Sequence, residues 1–139
     1  VIDYRSADFV EVAKELTGGR GMDVILDVIA GEYVNRNISA LATRGCIVQV
    51  GAMGGGTTPV NVGAMMFKRA RLVGTVLRAR PIEEKIALTQ RFIAEMLPLF
   101  ETGALKAVVD SRFPLEAMAA AHARMEADAN VGKILIDLV

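Results

Sequence analysis

The sequence is poor in the side chains that form disulfides and bind metals. Cys46 is the only cysteine and His122 the only histidine in 139 residues. One cysteine excludes an intrachain disulfide, and a structural zinc site usually needs three or four cysteine and histidine ligands. We therefore expect no bound metal and a reducing intracellular setting.

An excess of charge and a long hydrophobic run are also missing. The 16 basic and 16 acidic side chains give a formal net charge of +0, so the surface has no general attraction for nucleic acid or an anionic membrane. No apolar stretch approaches the roughly 20 residues that span a bilayer. With 53% hydrophobic residues, the chain can bury a core. These features predict a soluble, cytoplasmic protein with neither nucleic acid nor membrane as a partner.

Strand and helix patterns alternate along the first eighty residues. Short apolar runs predict four strands, at 1–4, 23–28, 46–50 and 72–77. Amphipathic segments between them predict helices, the first with Ser6 as its N-cap and Gly18 just after its end. The next helix is marked by Val34, Ile38, Leu41 and Ala42, and a short third one by Val62, Met65 and Met66. This alternation indicates a doubly wound α/β fold with a parallel sheet.

A different pattern begins at Pro81. A long helix is predicted from Pro81 to about Thr102, and Pro98 is expected to kink it or end it early. Beyond it the sequence predicts a strand at 106–109, an alanine-rich helix at 115–127 and a last strand at 133–139. The C-terminal part is therefore predicted to be a strand–helix–strand segment. The first strand of the chain has no initiator methionine before it, so we expect an upstream part of the protein to be missing.

Ligands of open parallel sheets bind outside the carboxyl ends of the strands. That rule selects four segments, at 4–5, 27–31, 50–56 and 75–78. The glycine-rich stretch that starts at Gly51 lacks the spacing of a dinucleotide-binding fingerprint, so we interpret it as a strand-end loop rather than a phosphate loop. Tyr4 and Arg5 could contact a ribose or a phosphate, although an exposed strand-end pair without function fits the sequence as well.

The remaining candidates favour structural roles. His122 lies on the apolar stripe of its predicted helix, which favours a hydrogen-bonded core histidine over a catalytic one. Cys46 opens a buried strand and has no basic neighbour or helix N-terminus beside it in the predicted elements, so we expect an inert small hydrophobic side chain rather than a nucleophile. No serine–histidine–aspartate arrangement, paired-carboxylate site or P-loop is recognisable, and no catalytic residue is assigned.

Four blocks of sequence, in this order and spacing, resemble a known family. They are VIDYR at 1–5, TGGRGMDV at 17–24, LVGTVLRAR at 72–80 and NVGKI at 130–134. Together they resemble the C-terminal portion of zinc-free quinone oxidoreductases, the zeta-crystallin-like branch of the medium-chain dehydrogenase/reductase superfamily. The resemblance implies a partial Rossmann-like doubly wound parallel sheet that lacks its first two strands and their glycine-rich turn. It also implies a dinucleotide-binding domain over 1–104 and a C-terminal segment over 105–139 that returns to a GroES-like catalytic domain.

The resemblance also implies a cofactor, NADPH, and the residues that contact it. Tyr4 and Arg5 correspond to contacts near the adenosine 2′-phosphate, and Val28 and Ile29 to the loop against the adenine. The loop over the nicotinamide ribose corresponds to Val50, Gly51 and Ala52. The backbone that meets the nicotinamide carboxamide corresponds to Thr75, Val76 and Leu77, and a late cofactor contact to Asn130. Asp128 stands where some relatives carry an arginine that touches the phosphate, so that contact is not expected.

The implied reaction is hydride transfer from NADPH to a quinone or a related enone. The full-length protein is expected to be a cytoplasmic homodimer joined through the strand from Leu72 to Leu77, and the present chain alone to be inactive. Two alternatives stay open. One is a non-catalytic module that self-associates, and the other is an enoyl reductase of the same superfamily.

Overall fold

The computed structural model describes residues 1–138 and divides the chain into two compact units. Contacts group the unit Val1–Arg80 and the unit Pro81–Val139. The long helix after Pro81 therefore belongs to the second unit, whereas the domain boundary predicted after residue 104 assigned it to the first. Sequence periodicity identifies a helix but does not say which elements it contacts. The predicted domain boundary itself stays a prediction.

The first unit is a three-stranded parallel sheet with its helices in the connections. Its elements are α1 (Phe9–Leu16), β1 (Met22–Asp27), α2 (Tyr33–Ala40), β2 (Leu41–Gln49), α3 (Val62–Lys68) and β3 (Arg71–Gly74). The strands lie in the order β1-β2-β3, and both neighbouring pairs are parallel. The predicted α/β class with a parallel sheet is confirmed, because each strand returns through a helix to lie beside the one before it.

The predicted first strand is wrong, since residues 1–4 form no strand. The amides of Ser6 and Ala7 both donate to the carbonyl oxygen of Asp3, at 3.1 and 3.0 Å, so the chain turns there instead of extending. The N-cap of α1 is also Asp8 rather than Ser6, and its carboxylate accepts from the amide of Val10 at 2.7 Å. A strand needs a neighbour for its backbone groups, and residues 1–4 have none in the described sheet.

Two further boundaries differ from the prediction. Helix α2 ends at Ala40, and Leu41, predicted to be helical, already has extended backbone (ψ 143°) and begins β2. Strand β3 ends at Gly74, so residues 75–77 belong to the loop that follows it. The Lys68 ammonium holds the first of these junctions by donating to the carbonyl oxygens of Ser39 and Leu41, at 2.8 and 2.5 Å.

The core of the first unit lies on one face of the sheet. Ile47 of β2 is 0% exposed and packs with Val34 and Ile38 of α2, while α1 packs beside α2. Side chains alternate between the faces of a strand, so the opposite face carries the residues one position away. Leu26 and Val73 on that face are exposed. Within the described residues of this unit, the helices cover a single face of the sheet.

The second unit contains one long helix and a two-stranded parallel sheet. Its elements are α4 (Ile82–Glu101), β4 (Val109–Pro114), a 3₁₀ turn (Leu115–Ala117), α5 (Met118–Glu126) and β5 (Lys133–Asp137). The prediction that Pro98 ends or kinks α4 early is wrong about the end, because the helix continues to Glu101. The Pro98 nitrogen carries no hydrogen, so the helix continues past it without one of its backbone hydrogen bonds. The strand predicted at 106–109 begins only at Val109.

Helix α5 is held to the second sheet by an ion pair. The Arg124 guanidinium donates twice to the Asp110 carboxylate, at 2.6 and 3.0 Å, and the amide of Val131 donates to the same carboxylate at 3.0 Å. The hydrogen bond from Arg124 is the main reason that the pKa of Asp110 lies well below its ordinary value. The carboxylate therefore joins the helix, the strand and the loop before β5.

Candidate functional site

The carboxyl ends of the three strands in the first unit lie level at one edge of the sheet. In the strand register Asp27 is opposite Gln49, and Gln49 is opposite Gly74. Parallel strands that end level place their following loops side by side, which is where open α/β sheets bind ligands. The three loops start at residues 28, 50 and 75.

The first two of these loops are joined by backbone hydrogen bonds. The amide of Met53 donates to the carbonyl oxygen of Val28 at 3.3 Å, and the amide of Gly54 donates to that of Ile29 at 2.7 Å. Pairing continues past the ends of β1 and β2, so the loops behave as an extension of the sheet edge. The residues at 28–29 and 51–54 are thereby fixed relative to one another.

Glycines make this close approach possible. A Cβ atom on Gly51 would lie 2.8 Å from the carbonyl oxygen of Val28. A Cβ atom on Gly31, whose φ is +55°, would lie 2.4 Å from the carbonyl oxygen of Gly54. Both separations are shorter than a side-chain carbon tolerates, so these positions need glycine where backbone runs against backbone.

Asp27 fixes the loop after β1 from inside the protein. Its carboxylate accepts from the amides of Ile29 and Ala30, at 2.6 and 3.2 Å, and from the Asn37 side-chain amide at 2.8 Å. Asp27 is 5% exposed and Asn37 is 3% exposed. The carboxylate also holds Ala30 in the left-handed region, at φ 60°.

Gln49 links the ends of β1 and β2. Its side-chain Nε2 donates to the carbonyl oxygen of Asp27 at 3.1 Å and to that of Gly51 at 2.7 Å. Its Oε1 atom is buried and has no hydrogen-bond partner among the described residues. The far end of the same long loop is held by Asn35, whose side chain donates to Pro59 and accepts from the amide of Asn61, both at 2.9 Å.

Two grooves open at this edge of the sheet. The first, of about 490 Å³, is lined by Gln49, Val50, Gly51, Ala52, Gly74, Thr75 and Val76. The second, of about 430 Å³, is lined by Ala30, Val34, Gln49, Ala52, Gly55, Gly56, Thr57, Thr58, Val60, Leu72 and Gly74. Small side chains and exposed backbone form most of both linings. Among the described residues, no titratable side chain lines either groove, so the edge offers shape and backbone hydrogen bonds rather than acid–base chemistry.

The structure brings together seven of the eleven residues predicted to contact a cofactor. Five of them line the larger groove: Val50, Gly51, Ala52, Thr75 and Val76. Val28 and Ile29 join them through the paired loops described above. The Thr75 hydroxyl accepts a hydrogen bond from the Arg80 guanidinium at 2.7 Å. This bond connects the first residue of the loop after β3 with a residue five positions further along the chain.

The other four predicted residues do not line the two grooves. Tyr4 is 69% exposed in the N-terminal turn, and Arg5 beside it bonds to the Asp3 carboxylate through both its amide and its Nε. Leu77 is exposed in the loop after β3. Asn130 lies in the second unit, where its side-chain amide donates to the carbonyl oxygen of Gly132 at 2.9 Å.

Sequence reasoning missed the polar side chains that hold the loops. It selected the segment that begins at Asp27 but assigned no role to its carboxylate, and it passed over Asn37 and Gln49. A carboxylate at the end of an apolar strand, just before a glycine-containing turn, was the available signal. The partners of Gln49 become visible only when the strands lie side by side.

The predictions for His122 and Cys46 have different outcomes. His122 is exposed on α5, where it borders a small hollow with Ile134 and Ile136, so the prediction of a core histidine is wrong. Helical periodicity placed it on the apolar stripe, but the two strands of the second sheet cover only part of that stripe. Cys46 is a free, half-buried thiol on β2. Among the described residues, no three histidine, cysteine, aspartate or glutamate side chains are grouped to hold a metal, and no helix could span a membrane.

Comparison with known proteins identifies the family. A family model described as zinc-binding dehydrogenase matches residues 1–136. The chain belongs to this family. Its curated relatives place it in the quinone oxidoreductase branch of the medium-chain dehydrogenase/reductase superfamily, and it corresponds to the C-terminal portion of such proteins. The family is one of oxidoreductases.

Three curated relatives have the same level of identity. The chain is 30% identical to a quinone oxidoreductase of Homo sapiens over 122 residues, which are 88% of this chain and 35% of that protein. It is 30% identical to quinone oxidoreductase 1 of Escherichia coli strain K12 over 142 residues, 98% of this chain and 42% of that protein. A 2-haloacrylate reductase from Burkholderia sp is 30% identical over 139 residues, 97% of this chain and 40% of that protein.

Solved structures share the fold. An NAD-dependent alcohol dehydrogenase superposes with a TM-score of 0.72 at 25% identity, over 99% of this chain and 37% of that one. A mycobacterial quinone oxidoreductase superposes with a TM-score of 0.72 at 25% identity, over 96% of this chain and 41% of that one. The chain thus spans about two fifths of the length of the proteins it matches. These likenesses support the predicted partial Rossmann-like fold.

Proposed function

We propose that this chain is the cofactor-binding part of an NADPH-dependent oxidoreductase that reduces a quinone or a related enone. The observation that carries the proposal is the pair of grooves at the sheet edge, whose linings together include residues of the loops after all three strands. A nicotinamide dinucleotide needs such a surface, because its ribose and carboxamide groups bond to backbone while its rings rest on small apolar side chains. Gly51, which a Cβ would force away from Val28, and the unpartnered Oε1 of Gln49 fit that requirement.

The chain's own part in the reaction is binding, orientation and exclusion of water. In the proposal, Val50, Gly51 and Ala52 carry the nicotinamide ribose, and Thr75, Val76 and Leu77 meet the carboxamide. Val28 and Ile29 flank the adenine, and Asn130, near the end of the sequence, makes a further contact with the cofactor. The bound cofactor supplies the hydride, so the chain needs no catalytic acid or base. In the part of the chain that the structure describes, no titratable side chain lines the two grooves, which agrees with a chain that binds and orients the cofactor without acid–base chemistry of its own.

Tyr4 and Arg5 are proposed to select NADPH through its 2′-phosphate. A guanidinium binds phosphate with paired, charge-assisted hydrogen bonds. Arg5 is highly exposed and bonds only weakly to Asp3, at 3.3 Å through Nε, so its guanidinium can be recruited by an anion.

The acceptor is proposed from the relatives. Two relatives are called quinone oxidoreductases and a third a 2-haloacrylate reductase, and a quinone and a haloacrylate both present an electron-poor double bond conjugated to a carbonyl group. Hydride addition to such a bond is the proposed chemistry. The complete protein is proposed to work in the cytoplasm without zinc, and this chain alone to lack turnover.

Titration with NADPH and NADH, followed by nicotinamide fluorescence, tests the proposal. We expect NADPH to bind, Arg5→Gln to weaken NADPH binding about tenfold, and the same change to leave NADH binding unaltered. Arg20→Gln is the matched control, because Arg20 is also exposed and paired with an aspartate three residues away. A chain that binds neither nucleotide would refute the proposed function.

The complete protein is further proposed to be a homodimer through residues 72–77. Strand β3 is an edge strand whose Leu72 and Val73 are exposed, and an exposed edge strand can pair with a second copy. Equilibrium sedimentation of the chain and of Val73→Lys tests this. We expect the variant to dissociate, because like charges would face each other across the twofold axis.

A second candidate, a self-associating module without catalysis, is favoured by one observation. A groove of about 370 Å³ runs along the outer edge of β1, and its lining includes the apolar side chains of Met22, Val24 and Leu26. In this case Leu26→Lys, rather than Val73→Lys, would abolish association, and neither nucleotide would bind. The two variants and the titration therefore separate the two functions.

A further inference from the structure

We propose that Gln49 is a positioning residue for the cofactor groove, which it shapes by fixing the loop after β2 to the end of β1. This inference rests on the proposed function, since it assigns the groove to a nicotinamide dinucleotide. Gln49 would act through the loop, whose backbone then meets the cofactor.

The geometry of the side chain supports this role. Its Nε2 atom donates one hydrogen bond to the carbonyl oxygen of Asp27, at 3.1 Å, and a second to the carbonyl oxygen of Gly51, at 2.7 Å. The first carbonyl group belongs to the last residue of β1, and the second belongs to the loop after β2. The amide therefore bridges the end of β1 to the second residue of the next loop, at the point where that loop leaves the sheet.

The bridge connects to a buried network. The carbonyl oxygen of Asp27 accepts from Gln49, while the carboxylate of the same residue holds the amides of Ile29 and Ala30. One residue thus fixes both loops, through its backbone on one side and its side chain on the other. Asn37 supports the carboxylate from α2 at 2.8 Å.

The residue opposite Gln49 on the neighbouring strand β3 cannot make this bridge in its place. Gly74 lies opposite it in the register of β3, and a Cβ there would meet nothing within 4 Å. Gly74 therefore has no side chain with which to support the start of the loop from that side. Gln49 lines both grooves, so a displacement of its amide would change the shape of both.

Two substitutions separate positioning from simple stability. Gln49→Met keeps the length of the side chain but removes both hydrogen bonds. We expect NADPH binding to weaken about tenfold and the amides of Met53 and Gly54 to exchange hydrogen about tenfold faster, because the loop is then held only by its backbone hydrogen bonds to Asp27, Val28 and Ile29. Gln49→Glu places an ionised carboxylate against two carbonyl oxygens near neutral pH, whereas its protonated form can donate one hydrogen bond.

The glutamate variant should show a pH-dependent NADPH affinity, which a general loss of stability would not produce. Relative to the unaltered chain, its NADPH affinity should rise as the pH is lowered from 8 to 6, because protonation restores one bond of the bridge. Thr17→Val is the matched control. It also removes hydrogen bonds between a side chain and backbone: the Thr17 hydroxyl donates to the carbonyl oxygens of Ala13 and Lys14 and accepts from the amide of Gly21, in the same unit but at the amino end of β1. It should leave NADPH affinity within about twofold.

The outcomes distinguish this inference from the proposed function. If the unaltered chain binds NADPH while Gln49→Met binds equally well with normal exchange of Gly54, the positioning role is overturned and the proposed function stands. If Thr17→Val weakens binding as much as Gln49→Met, the effect is one of stability and the inference fails. If the unaltered chain binds no nicotinamide nucleotide, the proposed function fails and the inference with it.

Discussion

Removal of the Asp27 carboxylate should destabilise the first unit severely. Asp27→Ala leaves three donors without their acceptor: the amides of Ile29 and Ala30 and the side-chain amide of Asn37. A buried polar group without a partner costs about 1–3 kcal/mol, so the expected loss is about 3–5 kcal/mol after partial relaxation. A unit of this size has a free energy of unfolding of about 4–12 kcal/mol, so much of its stability would be lost.

Urea unfolding followed by circular dichroism measures this loss. Asp27→Asn keeps one acceptor oxygen and should lose less. Asp23→Ala removes an exposed carboxylate of the same strand that pairs with Arg20, and it should stay close to the unaltered chain. The reasoning would be refuted by an Asp27→Ala variant whose free energy of unfolding lies within about 1 kcal/mol of that of the unaltered chain.

Three further predictions concern the packing of loops and helices. Gly31→Ala should cost more than about 2 kcal/mol in urea unfolding, because φ is +55° and the new Cβ would lie 2.4 Å from the Gly54 oxygen. Lys68→Met should cost about 1–3 kcal/mol, since it removes two hydrogen bonds to carbonyl groups at the end of α2. The Asp110 carboxylate, whose pKa is lowered from 3.8 mainly by Arg124, should stabilise the second unit above about pH 4 and lose this effect as the pH falls further.

Each of these has its own control. Gly56→Ala introduces a Cβ that meets nothing within 4 Å, so it should be nearly neutral, and equal losses at both glycines would contradict the packing argument. For Lys68, the variant Lys133→Met removes an ammonium from β5 in the other unit and should leave the first unit unchanged. For Asp110, the difference in melting temperature from Asp110→Asn should shrink below pH 4, and a constant difference down to pH 2 would contradict the linkage.

Local patterns predicted the α/β class and most of the elements because they depend on neighbours along the chain. The strands around Ile25, Ile47 and Leu72 are short apolar runs, and the helices between them have a 3.6-residue period. Boundaries were less predictable. Leu41 has the spacing of another turn of α2, but a place in β2 beside Met22 buries it and pairs its backbone.

The candidate site was predictable to the extent that it consists of strand ends. The rule for open parallel sheets selected the segments at 27–31, 50–56 and 75–78 before any contact was known, and five predicted residues line one groove. The first strand, at residues 1–4, was predicted from hydrophobicity alone. Its backbone has no neighbouring strand among the described residues, so Tyr4 lies in a turn instead.

By itself, the sequence determined most of the strands and helices and the positions that need glycine. These properties follow from each residue and its near neighbours along the chain. Only the tertiary structure decided that the Gln49 side chain on β2 donates to the Asp27 carbonyl oxygen on the adjacent strand β1. It also decided that the Asp27 carboxylate accepts from the Asn37 side chain on α2. Such hydrogen bonds join residues far apart in sequence, and a polar side chain gives no sign of its partner until the sheet has formed. The arrangement of the site therefore depends on strand register, which sets the neighbours of every residue at the edge.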